Sequence, residues 1–94
     1  MKEILYTEYF ERKVDLRKIP YNAQRNIIEN SIEKYYDTET GRFVKIGKIK
    51  IERVNLLLAV VYEETKDKII VVTAHSTTRQ QINSRLKSKR CILL

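Results

Sequence analysis

Arg42 to Val54 reads RFVKIGKIKIERV, and the alternation of its apolar residues decides the fold. Successive side chains of a strand point to opposite faces. Val44 and Ile46 therefore share one face, and Ile49 and Ile51 share one across an odd spacing. Gly47 stands at the slip, so a β-bulge there is the economical expectation. The bulge gathers the four apolar residues on one face. It leaves Lys45, Lys48 and Lys50 together on the other.

Upstream, KYYDTETG supplies the first arm of a hairpin. Asp37 starts its turn and Gly41 takes the positive φ at its end. Further back, Ala23, Ile27, Ile28 and Ile32 form an amphipathic stripe, which predicts a helix over 21–34. Pro20 suits the first turn of that helix and ends the one before it. The earlier helix is predicted over 8–18, with Thr7 as its cap, Glu8 and Glu11 near its positive end, and Phe10 and Val14 on one face. EILY (residues 3–6) reads as a short edge strand.

Downstream, NLLLAVVYEE is apolar on both faces, as a central strand is. TKDK turns the chain and KIIVVTAHS returns antiparallel to it. Thr77 and Gln80 have the spacing of a capping box, so the last helix is expected to start there, with Ile82 and Leu86 as a narrow apolar stripe. The order β-α-α-β-β-β-β-α describes an α+β fold. Two N-terminal helices are expected to pack on a four- to five-stranded antiparallel sheet, with a C-terminal helix.

The chain has 94 residues, enough for one domain, 1–94. Such a chain buries only about 60–65% of its unfolded surface. Its 43% apolar content still makes one core. No stretch approaches the roughly 20 apolar residues of a membrane helix. MKEILYTEYFERK carries acids and no long apolar run, so it does not read as a signal peptide. A single cysteine excludes an internal disulfide and a cysteine-based zinc cage. A cytoplasmic protein without a cofactor is expected.

The net charge of +7 is unevenly placed. Residues 1–67 hold 13 Lys/Arg and 12 Asp/Glu, whereas residues 68–94 hold Lys68, Arg79, Arg85, Lys87, Lys89 and Arg90 and no acid. Arg79, Arg85 and Lys87 thus have no acid at helical spacing to pair with. An uncompensated basic segment favours a polyanion, whether RNA, DNA or an anionic membrane, or else an acidic protein partner. Lys45, Lys48 and Lys50 on the sheet, with Lys87, Lys89 and Arg90, are the candidate nucleic-acid contacts. Alternating lysines are equally the wet face of an antiparallel sheet. Ser76, Thr77 and Thr78 place hydroxyls at a helix start beside His75, where they serve a phosphate or simply the cap.

His75 is the only histidine. Along IIVVTAH it shares a face with Ile69, Val71 and Thr73, at the end of the strand. A neutral imidazole there can take a proton from a ribose 2′-hydroxyl while Arg79 and Arg85 stabilise charge on the phosphorus. Tyr62 on the neighbouring strand completes the candidate catalytic set. Tyr6, Tyr35 and Tyr36 are further stacking platforms or proton donors. A strand-end histidine with a hydrogen-bond partner and no chemistry is the plainer alternative. No metal, nucleotide or serine-hydrolase motif is present, and no metal is expected.

The sequence FERKVDLRKIP, an amphipathic helix, YYDTETGRFVKI and then LLLAVVYEETKDKIIVVTAHSTTRQQINSRLKSKR resembles small prokaryotic domains of the RelE/BrnT type. The resemblance covers nearly the whole chain and rests on strand pattern and element order. It implies a RelE-like α+β fold and the ribonuclease toxin of a type II toxin–antitoxin pair. Such a toxin cleaves RNA without a metal, in many cases mRNA on the ribosome, and is held by a cognate antitoxin protein. No invariant catalytic motif matches, so the resemblance carries over only candidates: His75, Arg79, Arg85 and Tyr62, with Lys45 and Lys48 as phosphate contacts.

KSKRCILL also matches a prenylation signal with Cys91 as the acceptor. Beside a prokaryotic-looking body, an apolar tail that forms an edge strand or a contact between two copies is the preferred reading, and no stable membrane association is expected. Three readings stay open: a metal-independent endoribonuclease, a nucleic-acid-binding module without catalysis, and a partner-binding domain such as a homodimer through CILL.

Overall fold

The computed structural model describes residues 2–7, 21–51 and 53–94. The elements are β1 (Glu3–Tyr6), α1 (Tyr21–Asn30), β2 (Glu33–Asp37), β3 (Phe43–Ile51), β4 (Val54–Glu64), β5 (Lys68–Thr77), α2 (Arg79–Lys87) and β6 (Cys91–Leu93). All six strands form one sheet in the order β1-β5-β4-β3-β2-β6. β1 runs parallel to β5, and every other pair is antiparallel.

The expected architecture is corrected. The sheet has six strands and is mixed, where four or five antiparallel strands were expected. The two helices among the described residues do not stack together on one side. α1 packs Ile27 and Ile28 on Leu58, Val60, Val71 and Ala74. α2 packs Ile82 and Leu86 on the opposite face, against Val44, Ile46, Ala59 and Tyr35. The helix expected over 8–18 lies outside the described residues.

Cover on both faces explains β3. Its register with β4 runs in step from Phe43↔Tyr62 to Ile51↔Val54, through Gly47↔Leu58. There is no bulge at Gly47. Val44 and Ile46 belong to the α2 face, and Ile49 and Ile51 to the α1 face. The odd spacing that looked like a slip marks a strand whose two halves are buried on opposite sides. Gly47 is there for space, because a Cβ at this position would lie 2.5 Å from Cγ1 of Ile27.

The irregularity sits instead between β4 and β5. Val61 is opposite Thr73 but Tyr62 is opposite Val71, so Val72 is the extra residue. Ile69 and Val71 therefore pack in the α1-side core, while His75 lines the space under α2. The shared face predicted for the four residues is broken.

α1 ends at Asn30, four residues before the predicted end. Ser31 closes it with an N–H bond to the Ile27 carbonyl and turns its hydroxyl to the Ile46 carbonyl of β3. Ile32, expected in the apolar stripe, is 96% exposed. The predicted hairpin forms: Asp37 Oδ1 accepts from the amides of Glu39 and Thr40, and Gly41 has φ +74°.

Candidate functional site

β5 brings the chain across the sheet, and α2 returns over its face. β5 remains a strand through Thr77, which pairs with Leu57, so the cap falls one residue later than predicted. Thr78 Oγ1 accepts from the Gln81 amide at 3.1 Å, and Gln81 Oε1 accepts from the Thr78 amide at 3.2 Å. Between α2 and the sheet lies a hollow of 30 Å³ whose polar lining includes Tyr35, His75, Thr77 and Arg85, with the Cys91 thiol. That is room for ordered water.

Beside the hollow, Glu33 Oε2 accepts from Tyr35 Oη at 2.7 Å and from Arg79 Nη1 at 2.5 Å. The Arg79 hydrogen bond holds the Glu33 carboxyl below the usual carboxylate range, against the opposing effect of burial. Burial, then the bond to Glu33, pushes the Tyr35 phenol up to about 12. Tyr35 is thus a neutral donor and Glu33 an ionised acceptor at neutral pH. Burial also raises the Cys91 thiol, with the nearby Arg85 guanidinium pulling the other way. The period of two along EKYYD puts Glu33 and Tyr35 on one face, and this is the signal that could have revealed the pair.

The predicted catalytic set does not assemble as a whole. His75 and Arg85 line the same hollow. Arg79 stands at the start of α2, committed to Glu33. Tyr62 is on the α1 face, 1% exposed and stacked on Phe43 with ring centroids 5.8 Å apart. Burial pushes its phenol up to about 12. It cannot reach His75 through the sheet, and Tyr35 stands where Tyr62 was expected.

The lysines of β3 also divide. Lys45 points to the α1 face and donates to the Ile28 carbonyl at 2.6 Å, where a cation meets the negative end of the helix. Burial and then Lys34 lower its pKa. Lys48 and Lys50 are exposed on the α2 face, beyond the region the helix covers.

The C-terminal charge is partly neutralised. Arg90 lies 3.1 Å from Glu39 and 3.7 Å from Asp37. Burial works to raise Asp37, but the amides of Glu39 and Thr40 and then Arg90 outweigh it and hold its carboxyl low. Arg85, Lys87 and Lys89 have no carboxylate partner among the described residues. Lys87 lies on the outer side of α2 with Gln80 and Asn83, and Lys68 is at the far end of β5, opposite Glu3. The last 27 residues are therefore not one continuous positive surface.

Among the described residues no group of three His, Cys, Asp or Glu side chains could hold a metal ion. No helix among them is long and apolar enough to cross a membrane. Comparison with protein-family models, curated proteins and solved structures finds no match.

Proposed function

We propose that the protein is a small cytoplasmic RNA-binding domain that receives a sugar–phosphate backbone on the α2 side of its sheet. One observation carries this reading: five cations on the α2 side are left without a carboxylate partner among the described residues. On the α1 side Lys2 and Lys34 bind Glu64, Arg25 binds Glu29 and Lys45 binds the end of α1. On the α2 side Arg42 binds Glu63, Arg79 binds Glu33 and Arg90 lies beside Glu39 and Asp37, but Lys48, Lys50, Arg85, Lys87 and Lys89 have no carboxylate partner among the described residues. Unpaired cations release counterions when they meet phosphates, and that release supplies most sequence-independent affinity. The resemblance to RelE/BrnT-type toxins adds mRNA as the RNA and an acidic antitoxin protein as a competitor for the same side.

The test is the anisotropy of a labelled single-stranded RNA titrated at several salt concentrations. Neutralising Lys87 and Lys89 to Gln lowers affinity for unrelated sequences alike and flattens the log–log salt slope by roughly 1.4, about 0.7 per lost phosphate contact. Neutralising Arg25 and Lys34 changes neither. Equal losses from both pairs would overturn the proposal.

A second reading, the metal-independent endoribonuclease of a type II toxin–antitoxin pair, is favoured by one specific observation. His75, Arg85 and Tyr35 converge on one hollow, a base, a cation and a neutral donor. At 30 Å³ the hollow is much smaller than a nucleotide pocket of several hundred cubic ångströms, so a ribose enters only if it widens. Cleavage would leave 2′,3′-cyclic phosphate ends, lost on His75→Ala with RNA affinity kept. Intact RNA after prolonged incubation with the wild type leaves the binding module alone.

A further inference from the structure

Among the described residues β6 closes one edge of the sheet, with β2 on its inner side and no strand on its outer side. The phase of its hydrogen bonds is settled by two contacts to β2 and the turn after it. The Thr38 amide donates to the Arg90 carbonyl at 2.8 Å, and the Leu94 amide donates to the Lys34 carbonyl at 2.9 Å. With Tyr36 opposite Ile92, residues 90, 92 and 94 turn their N–H and C=O groups inward. Alternation then turns those of Cys91 and Leu93 outward. The side chains beside this open edge are apolar: Ile92 is 49% exposed and Leu93 and Leu94 are each 60% exposed. Cys91–Leu94 holds no charge and no proline, the usual devices that keep an edge from pairing.

We propose that β6 pairs antiparallel with β6 of a second copy of this chain, about a two-fold axis through Ile92. The strand is self-complementary in that register. Setting Ile92 opposite the second Ile92 places Cys91 opposite Leu93 and Leu93 opposite Cys91. Both of those pairs consist of outward-turned groups, so each exchanges two N–H···O bonds. Slipping by one residue sets outward groups against inward ones, and slipping by two leaves a single bonded pair. The isoleucines meet as a non-bonded pair, with Cα atoms about 4.5 Å apart, and cover each other.

Charge does not oppose the contact. The nearest cation, Arg90, falls opposite Leu94 of the second copy and is already matched by Glu39 and Asp37. The same patch serves both copies, as a closed dimer requires. The axis stands perpendicular to the sheet, so a twelve-stranded sheet forms with both α2 helices on the same side. The contact is short, so association is weak and depends on concentration.

Sedimentation equilibrium tests this. The mass of the wild type rises with concentration from 11.2 kDa toward twice that value. Ile92→Lys and Ile92→Glu each stay monomeric where the wild type is mostly dimer, because like charges directly opposite repel. An equimolar mixture of the two recovers the dimer. Circular dichroism confirms that each variant keeps the fold, and Ile92→Thr, with a milder weakening of the dimer, stands in should either fail to fold. Hydrogen exchange supplies an independent reading: the Cys91 and Leu93 amides slow at least tenfold with concentration while Ile92 and Leu94 do not change. A wild type of 11.2 kDa at every concentration overturns the proposal. Single variants that still dimerise, or a mixture that stays monomeric, also overturn it.

Discussion

Gly47→Ala tests the packing of both faces of the sheet. An alanine Cβ there would meet Ile27 Cγ1 at 2.5 Å and Cδ1 at 3.0 Å. Ile27 is buried between α1 and the sheet, and a β-branched side chain in a helix keeps one strongly preferred χ1, so Cγ1 cannot swing clear without strain or a shift of the helix. Forcing a methyl into a packed core costs about 1–3 kcal/mol. The loss of unfolded-state freedom on Gly→Ala gives back about 0.4–1 kcal/mol. A net destabilisation of about 1–2 kcal/mol follows, or a fall in Tm of roughly 5–15 °C for a domain of this size. The assay is thermal and urea unfolding of four proteins: wild type, Gly47→Ala, Ile27→Ala and the double variant. Ile27→Ala alone costs about 2–5 kcal/mol. In its background the obstructing atoms are gone and Gly47→Ala becomes neutral to slightly stabilising, so the two single costs do not add. If Gly47→Ala is neutral in the wild type, or equally costly in both backgrounds, the close approach of α1 does not explain the glycine.

Three further outcomes follow from the geometry. Lys45→Met loses the bond to the end of α1 and destabilises by about 0.5–1.5 kcal/mol, yet leaves RNA affinity unchanged; a selective loss of affinity would return Lys45 to the interface. Thr78→Ala removes the cap of α2 and costs about 1 kcal/mol, whereas Thr77→Ala costs distinctly less, measured by urea unfolding. Glu33→Gln gives a pH-dependent loss. Its folded carboxyl titrates below the ordinary value, so the stability it adds is present above the unfolded pKa of about 4.3 and disappears as pH falls through the lower folded value. The Tm gap to wild type is therefore open at neutral pH and closed in acid, and a gap independent of pH would contradict the Arg79–Glu33 pairing.

What can be read from this sequence is what depends on neighbours along the chain. The Asp37–Gly41 turn, the stripe of Ile27 and Ile28, the capping chemistry before Ile82 and the edge character of EILY and CILL are all local. The errors arise where tertiary cover overrides a pattern. Val44, Ile46, Ile49 and Ile51 look like one face with a slip only if a single layer of helices is assumed; with α2 on the second face no slip is needed. The extra residue at Val72 leaves no signal in KIIVVTAH, because apolar residues follow one another without alternation. It separates His75 from Ile69 and Val71. Tyr62 is placed opposite Phe43 on the far face by a register no local pattern reveals. The pairing of Arg79 with Glu33 spans 46 residues of sequence, so the absence of nearby acids could not foretell it.

The most direct test of the functional account is an NMR titration of the protein with a short single-stranded RNA. Resonances of Lys48, Lys50, Arg85, Lys87 and Lys89 are expected to shift, with those of Arg25, Lys34 and Lys45 unmoved. Shifts confined to the α1 side, or none at all at low salt, would contradict it.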